Sequence, residues 1–261
     1  MELKRDRDLK RKRVRSVWSK EWLMKTGTLS HMSLLTEIRD NPEDYRNYCS
    51  FEWMTIPSRS CWALTPYIER QDTKMRRAIP AEERLTATLR FLATGRSLED
   101  LKFGTLISPQ ALGRIIPDTC KAIVKVLQDQ YLKLPASTSE WQAMTEEFAT
   151  TWQFPNCGGA IDGKHVRINP PANSGSLYYN YKGYFSIVLM EVVNANYELI
   201  FIDVGKNGRA SDGGSLKNTT FYERLTTKTL NLPSREQTKH SLNFVLVADE
   251  AFALHKNIMK P

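Results

Sequence analysis

The chain changes character at Phe154-Pro155-Asn156, and this switch limits its fold more than any other feature. Before it, apolar residues recur every three or four positions, the period of amphipathic helices. After it, they come in short runs of Val, Ile, Leu and Phe bounded by Gly, Asn and Asp, as in strands. Such a chain builds a helical region first and an α/β sheet second, which excludes an all-β sandwich and a coiled-coil rod. Its 261 residues are enough for one large domain or two small ones.

In the first region, Trp18, Trp22 and Leu23 fit one face of a short helix. Met32, Leu34, Leu35 and Ile38 make a second stripe, ended by Asp40-Asn41-Pro42. Segments 43–49 and 61–69 read as further short helices. Pro80 opens a helix with Leu85, Leu89 and Leu92 on one face, closed by Gly95. Ser97 and Asp100 form a capping-box pattern for a short helix that Gly104 stops. Ser108 caps the next, with Pro109 at its first position and Leu112, Ile115 and Ile116 inward. Pro117 is expected to kink this helix or begin another, because it lacks a backbone donor. Paired helices whose second member carries Gln110 and Arg114 on its polar side fit a helix-turn-helix reading, and equally an ordinary bundle. A last helix follows Ser139, with Trp141, Met144, Phe148 and Trp152 at helical spacing.

In the second region, residues 158–168, 184–193 and 198–204 read as strands, the latter two joined by Asn194-Ala195-Asn196 in an antiparallel hairpin. Residues 215–225 read as one helix, and 244–248 as a short, buried, central strand.

Charge is concentrated at the start. The net charge is +8, and residues 1–20 carry nine Lys or Arg against Glu2, Asp6 and Asp8, leaving only +2 for the rest. The run Lys10-Arg11-Lys12-Arg13 has the density of a nuclear-import signal, of a clamp on nucleic-acid phosphates, or of a solvated tail. No stretch approaches ~18 apolar residues, and no apolar segment backs the basic start as in a secretory signal, so the nucleus or cytosol is the expected location. Cys49, Cys61, Cys120 and Cys157 are scattered with no CxxC pair, which argues for reduced, buried thiols rather than a zinc ribbon or disulfide framework.

Two strand runs carry an aspartate where an apolar residue is expected: Asp162 after Ala160-Ile161, and Asp249 after Val245-Leu246-Val247-Ala248. A carboxylate at a buried strand end needs a partner. Either each caps a turn, or the two converge on a hard divalent cation such as Mg²⁺ or Mn²⁺, which takes oxygen ligands and supports phosphoryl transfer.

Four ordered segments resemble the landmarks of PIF/Harbinger-type transposases and their domesticated ALP1-like nuclease relatives. They are Gly159-Ala160-Ile161-Asp162-Gly163-Lys164-His165-Val166, Tyr179-Asn180-Tyr181-Lys182-Gly183-Tyr184-Phe185-Ser186, Ser211-Asp212-Gly213-Gly214 and Ala248-Asp249-Glu250-Ala251-Phe252-Ala253-Leu254. Upstream, the segment from Leu89 to Pro117 resembles the family's helix-turn-helix. The resemblance implies an RNase H-like fold holding two aspartates and a glutamate around divalent metal for DNA cleavage and joining. On that reading Asp162 and Asp249 are the catalytic, metal-binding aspartates, and Asp212 is a further metal candidate or a structural residue. The family's third acid lies on a helix well beyond the second aspartate. No residue up to Pro261 takes that place, so the domain is expected to be C-terminally incomplete and its cleavage impaired.

The expected organisation is a basic arm over 1–20, a helical region over 21–153 with a helix-turn-helix-like segment at about 81–130, and an RNase H-like nuclease domain over 154–261. Candidate DNA contacts are Lys10, Arg11, Lys12, Arg13, Gln110, Arg114, Lys164 and Lys182. His165, three residues after Asp162, is expected on the opposite strand face as a hydrogen-bonding residue. The tyrosines of 178–182 fit either packing or a stacking groove. The expected partners are DNA and, by family resemblance, a Myb-like DNA-binding protein. Two functions compete: a metal-dependent nuclease of transposase descent, and a nuclear DNA-binding or adaptor protein that kept the fold without the chemistry.

Overall fold

The computed structural model describes residues 30–38, 41, 43–44, 59–74 and 77–260. The basic arm, the Trp18–Leu23 stripe, Cys49 and most of the segment 43–49 lie outside the described residues. The chain divides into two compact units between Val126 and Leu127.

The first unit is helical: α1 (His31–Ile38), α2 (Arg59–Ile68), α3 (Ala81–Thr94), α4 (Leu98–Thr105) and the start of α5 (Pro109–Tyr131). Local signals set most of these ends. Gly95 closes α3 in the left-handed region at φ 61°, its N–H reaching the Phe91 carbonyl. The Ser97 hydroxyl accepts from the Asp100 N–H to cap α4. Two expectations need correction. Gly104 lies inside α4, and the helix instead ends at Leu106, itself left-handed at φ 57°. Leu92 is exposed, and α3 turns Arg84, Thr86, Ala87, Thr88 and Leu89 inward. Leu112, Ile115 and Ile116 of α5 are buried with Ala87, Leu101 and Ile107, which accounts for the phase of that helix. No new helix begins at Pro117: α5 runs through it as a single element of 23 residues.

The second unit holds α6 (Thr138–Trp152) and a five-stranded sheet. Its strands are β1 (Cys157–Arg167), β2 (Ser186–Val193), β3 (Leu199–Asn207), β4 (Val245–Ala248) and β5 (Ile258–Met259), in the order β3-β2-β1-β4-β5. The first three strands pair antiparallel, while β4 runs parallel to β1 and β5 parallel to β4. This mixed α/β sheet following a helical region is the architecture expected of an RNase H-like domain. Strand β2 alternates strictly, with Val188, Met190 and Val192 buried. Each such side chain contributes roughly 1.5–3 kcal/mol by leaving water. Ser137, rather than Ser139, caps α6 by accepting from the Glu140 N–H. That places Trp141 in the core, edge-on to Phe244 at 5.5 Å, with its indole N–H donating to the Leu230 carbonyl at 2.7 Å.

The expected single helix over 215–225 is two, α7 (Asp212–Lys217) and α8 (Thr220–Thr226). Asn218 ends the first and Thr219 caps the second, its hydroxyl accepting from the Tyr222 N–H. Of the cysteines, Cys157 is buried and Cys120 half-buried, both free thiols, and burial pushes the Cys157 thiol up.

Candidate functional site

Strand β1 is longer than β4 and loses that neighbour midway. Ile161 pairs with Ala248, the last residue of β4, while β1 continues beside β2 to Arg167. Asp162 and Asp249 are the next residue on each strand. Backbones of paired strands lie ~4.8 Å apart, so the two carboxylates emerge side by side where β4 leaves the sheet. Both are exposed. The Asp249 carboxylate accepts from the Ala251 N–H at 3.0 Å, which fixes the turn after β4.

Asp212 enters from the other side of β1. Ile161, Gly163 and His165 alternate with the exposed Asp162, Lys164 and Val166. The Asp212 carboxylate lies against Gly163: a Cβ built there would stand 2.7 Å from Asp212 Oδ1. Its helix, α7, is set by the surrounding Ser-Asp-Gly-Gly. Ser211 caps it by accepting from the Gly214 N–H at 3.2 Å, and a Cβ at Gly213 would meet the Ala251 carbonyl at 2.8 Å. The turn after β4 and the start of α7 thus pack backbone to backbone, and only glycine allows that approach. The sequence expectation left Asp212 between a metal and a structural role; the structure brings it within electrostatic reach of both Asp162 and Asp249. Burial raises the Asp212 carboxyl above the ordinary range, His165 opposes that rise, and the charges of Asp249 and Asp162 add to it.

His165 is buried on the face opposite Asp162, as its spacing predicts, and anchors a polar chain that sequence reasoning did not assemble. The Asn180 side-chain oxygen accepts the N–H groups of Lys182 and Tyr184, which orients its amide so that Nδ2 donates to Ser186 Oγ at 2.8 Å. Ser186 Oγ is 2.9 Å from His165 Nδ1. If Ser186 donates to Nδ1, the ring proton sits on Nε2, which faces Asp212 Oδ1 at 4.0 Å. The other tautomer would aim a lone pair at a carboxylate, so this assignment satisfies the chain better. The signal in the sequence was Ser186, a fully buried serine at the first inward position of a strand whose other inward residues are Val188, Met190 and Val192.

The other predicted contacts are dispersed. Lys164 is exposed on the same face of β1 as Asp162, and Lys182 is exposed in the loop before β2. Gln110 and Arg114 are exposed at the start of α5, in the first unit. In the 178–185 loop, Tyr179 packs edge-on to Phe185 at 5.2 Å and Arg167 lies 4.5 Å over the Tyr184 ring. Tyr181 is 79% exposed and meets His165 edge-on at 5.6 Å.

The acids suit a hard divalent cation in kind. All are carboxylates, and Asp212 Oδ1 is buried with no hydrogen-bond partner, an excess of negative charge that a cation would relieve. Asp162 and Asp249 are the exposed pair on neighbouring strand ends. Among the described residues no group of three or more His, Cys, Asp or Glu side chains closes around one point.

Residues 161–261 match the DDE superfamily endonuclease family. The chain is 24% identical over 189 residues to the human (Homo sapiens) protein named "Putative nuclease HARBI1", an alignment covering 72% of this chain and 51% of that one. The "Protein ALP1-like" of Arabidopsis thaliana is 26% identical over 185 residues, 69% of this chain and 44% of its own. The chain thus spans about half the length of the curated relatives it matches. No solved structure matches it.

Proposed function

We propose, from a chain whose residues 161–261 match the DDE superfamily endonuclease family and which resembles the Harbinger-derived nucleases, that it is a transposase-derived, metal-dependent DNA endonuclease. One observation carries this reading: the register that pairs Ile161 with Ala248 and so sets Asp162 beside Asp249 at an open edge of the sheet.

Asp162 and Asp249 would hold the ion, which when bound supplies an activated water and charge stabilisation for the departing phosphodiester oxygen. Asp212 adds negative charge from beneath β1, with the His165 ring facing that carboxylate. Lys164, on the Asp162 face, is placed for a substrate phosphate. The basic arm, with Gln110 and Arg114, supplies further DNA contacts, and Lys10-Arg11-Lys12-Arg13 directs the protein to the nucleus. A pair of strand-end acids holds one ion weakly and a second poorly, so these acids by themselves support only slow cleavage.

The test is Mn²⁺ titration calorimetry on the wild type, Asp162→Asn and Asp249→Asn, paired with a plasmid-nicking assay. The wild type should bind weakly and nick slowly, with both signals lost in each variant. Identical heats in all three proteins would overturn the metal assignment. DNA binding with no metal-dependent nicking would favour the non-catalytic DNA-binding reading.

A further inference from the structure

The loop between β1 and β2 builds a rigid tip beside the carboxylates. Asn180 is buried, and its side-chain oxygen ties down the backbone N–H groups of Lys182 and Tyr184. Tyr179 bridges to Phe185 as an isolated antiparallel pair, and Gly183 takes φ 82°, a turn conformation that favours glycine. Two other rings of the loop have partners: Tyr179, itself 48% exposed, lies edge-on to Phe185, and Tyr184 lies under Arg167. The ring of Tyr181 is instead held out into solvent.

That ring approaches the site from the His165 side of β1. Its edge contact with His165 connects to Asp212 through the 4.0 Å approach of Nε2, and Asp212 lies within the electrostatic reach of Asp162 and Asp249. The Lys182 ammonium lies 5.4 Å from the centre of the same ring. An apolar protein partner is a poor match, because the ring stands among charged groups rather than in an apolar patch. A nucleotide offers a flat face for the ring and an anion for the ammonium. In paired duplex DNA each base face is already covered by its neighbours, so a base available to this ring is an unpaired one.

We propose that Tyr181 and Lys182 form a nucleotide clamp at the edge of the carboxylate site, Tyr181 stacking on an unpaired base and Lys182 taking the adjoining phosphate, so that the preferred substrate carries an unpaired nucleotide at the cleavage point. This rests on the endonuclease reading and names its substrate class. Asn180 is the positioning residue for the clamp.

The experiment uses residues 1–261 in EDTA, so that neither metal binding nor cleavage enters. The probes are a short single strand carrying 2-aminopurine at each position in turn, and the same sequence as blunt duplex. The wild type should bind the single strand more tightly and change the 2-aminopurine emission. Tyr181→Phe should keep both effects. Tyr181→Ala should weaken binding roughly 5- to 150-fold and abolish the emission change. Lys182→Ala should lower the slope of log K against log salt by about 0.7. Both side chains are exposed, and unchanged thermal unfolding of each variant confirms an intact fold. Equal binding by wild type and Tyr181→Ala, preference for blunt duplex, or loss in Tyr181→Phe as severe as in Tyr181→Ala would each overturn the clamp. If Asp162→Asn leaves nicking unchanged while Tyr181-dependent binding persists in EDTA, the endonuclease reading fails and the clamp stands.

Discussion

The Asp212 carboxylate occupies the space a side chain at Gly163 would fill, with Oδ1 2.7 Å and Cγ 2.8 Å from where a Cβ would stand. Gly163 is therefore a port through β1: it lets an acid on α7 come within reach of aspartates on two strand ends. The same contact explains why glycine follows Asp162 here.

Gly163→Ala should therefore displace Asp212 and destabilise the protein by about 1–3 kcal/mol, the usual cost of overpacking. In an Asp212→Ala background the same change should cost much less, giving a coupling of about 0.5–3 kcal/mol in a double-mutant cycle of urea denaturation. Strict additivity would show that the two residues do not share this space.

His31 makes the first unit sensitive to mild acid. It is buried, with Nε2 2.7 Å from Thr86 Oγ1, and burial followed by the charge of Arg90 lowers its pKa from 6.5 to about 4. A depressed histidine pKa means the fold prefers the neutral ring. Its contribution is fully present above pH 6.5, falls as pH drops through the window from 6.5 to about 4, and is gone below it. At most about 3 kcal/mol is lost in that window. Urea denaturation against pH should show this fall in the wild type and a flatter curve in His31→Gln. Parallel curves would remove His31 as the cause.

Phosphate binding by the arm would appear in the salt dependence. Deleting residues 2–15 should weaken duplex binding and reduce the slope of log K against log salt by about 0.9 for each phosphate that the arm neutralises. An unchanged slope would leave the arm as an import signal or a solvated tail, which fusion of residues 1–20 to a reporter would then separate by nuclear entry.

Features that depend on a few neighbouring residues can be read directly along the chain. Gly95, Ser97 with Asp100, and Ser108 with Pro109 mark helix ends because each cap is settled within one turn. Asn194-Ala195-Asn196 folds β2 back on β3, the Asn194 side chain accepting from the N–H groups of Asn196 and Glu198. Asp162 and Asp249 stood out because an acid interrupts or ends an apolar run. Where a local signal competed with packing, packing won: Gly104 stays helical, Leu92 faces solvent, and the stripe from Ser215 to Leu225 breaks at Thr219. Which acids meet depends on contacts between distant segments. The parallel pairing of Ile161 with Ala248, the entry of Asp212 at Gly163, and the chain from Asn180 through Ser186 to His165 join segments far apart in sequence. Such pairings repay loop-closure entropy only when several form together, and no short window of residues contains the partners that make them favourable.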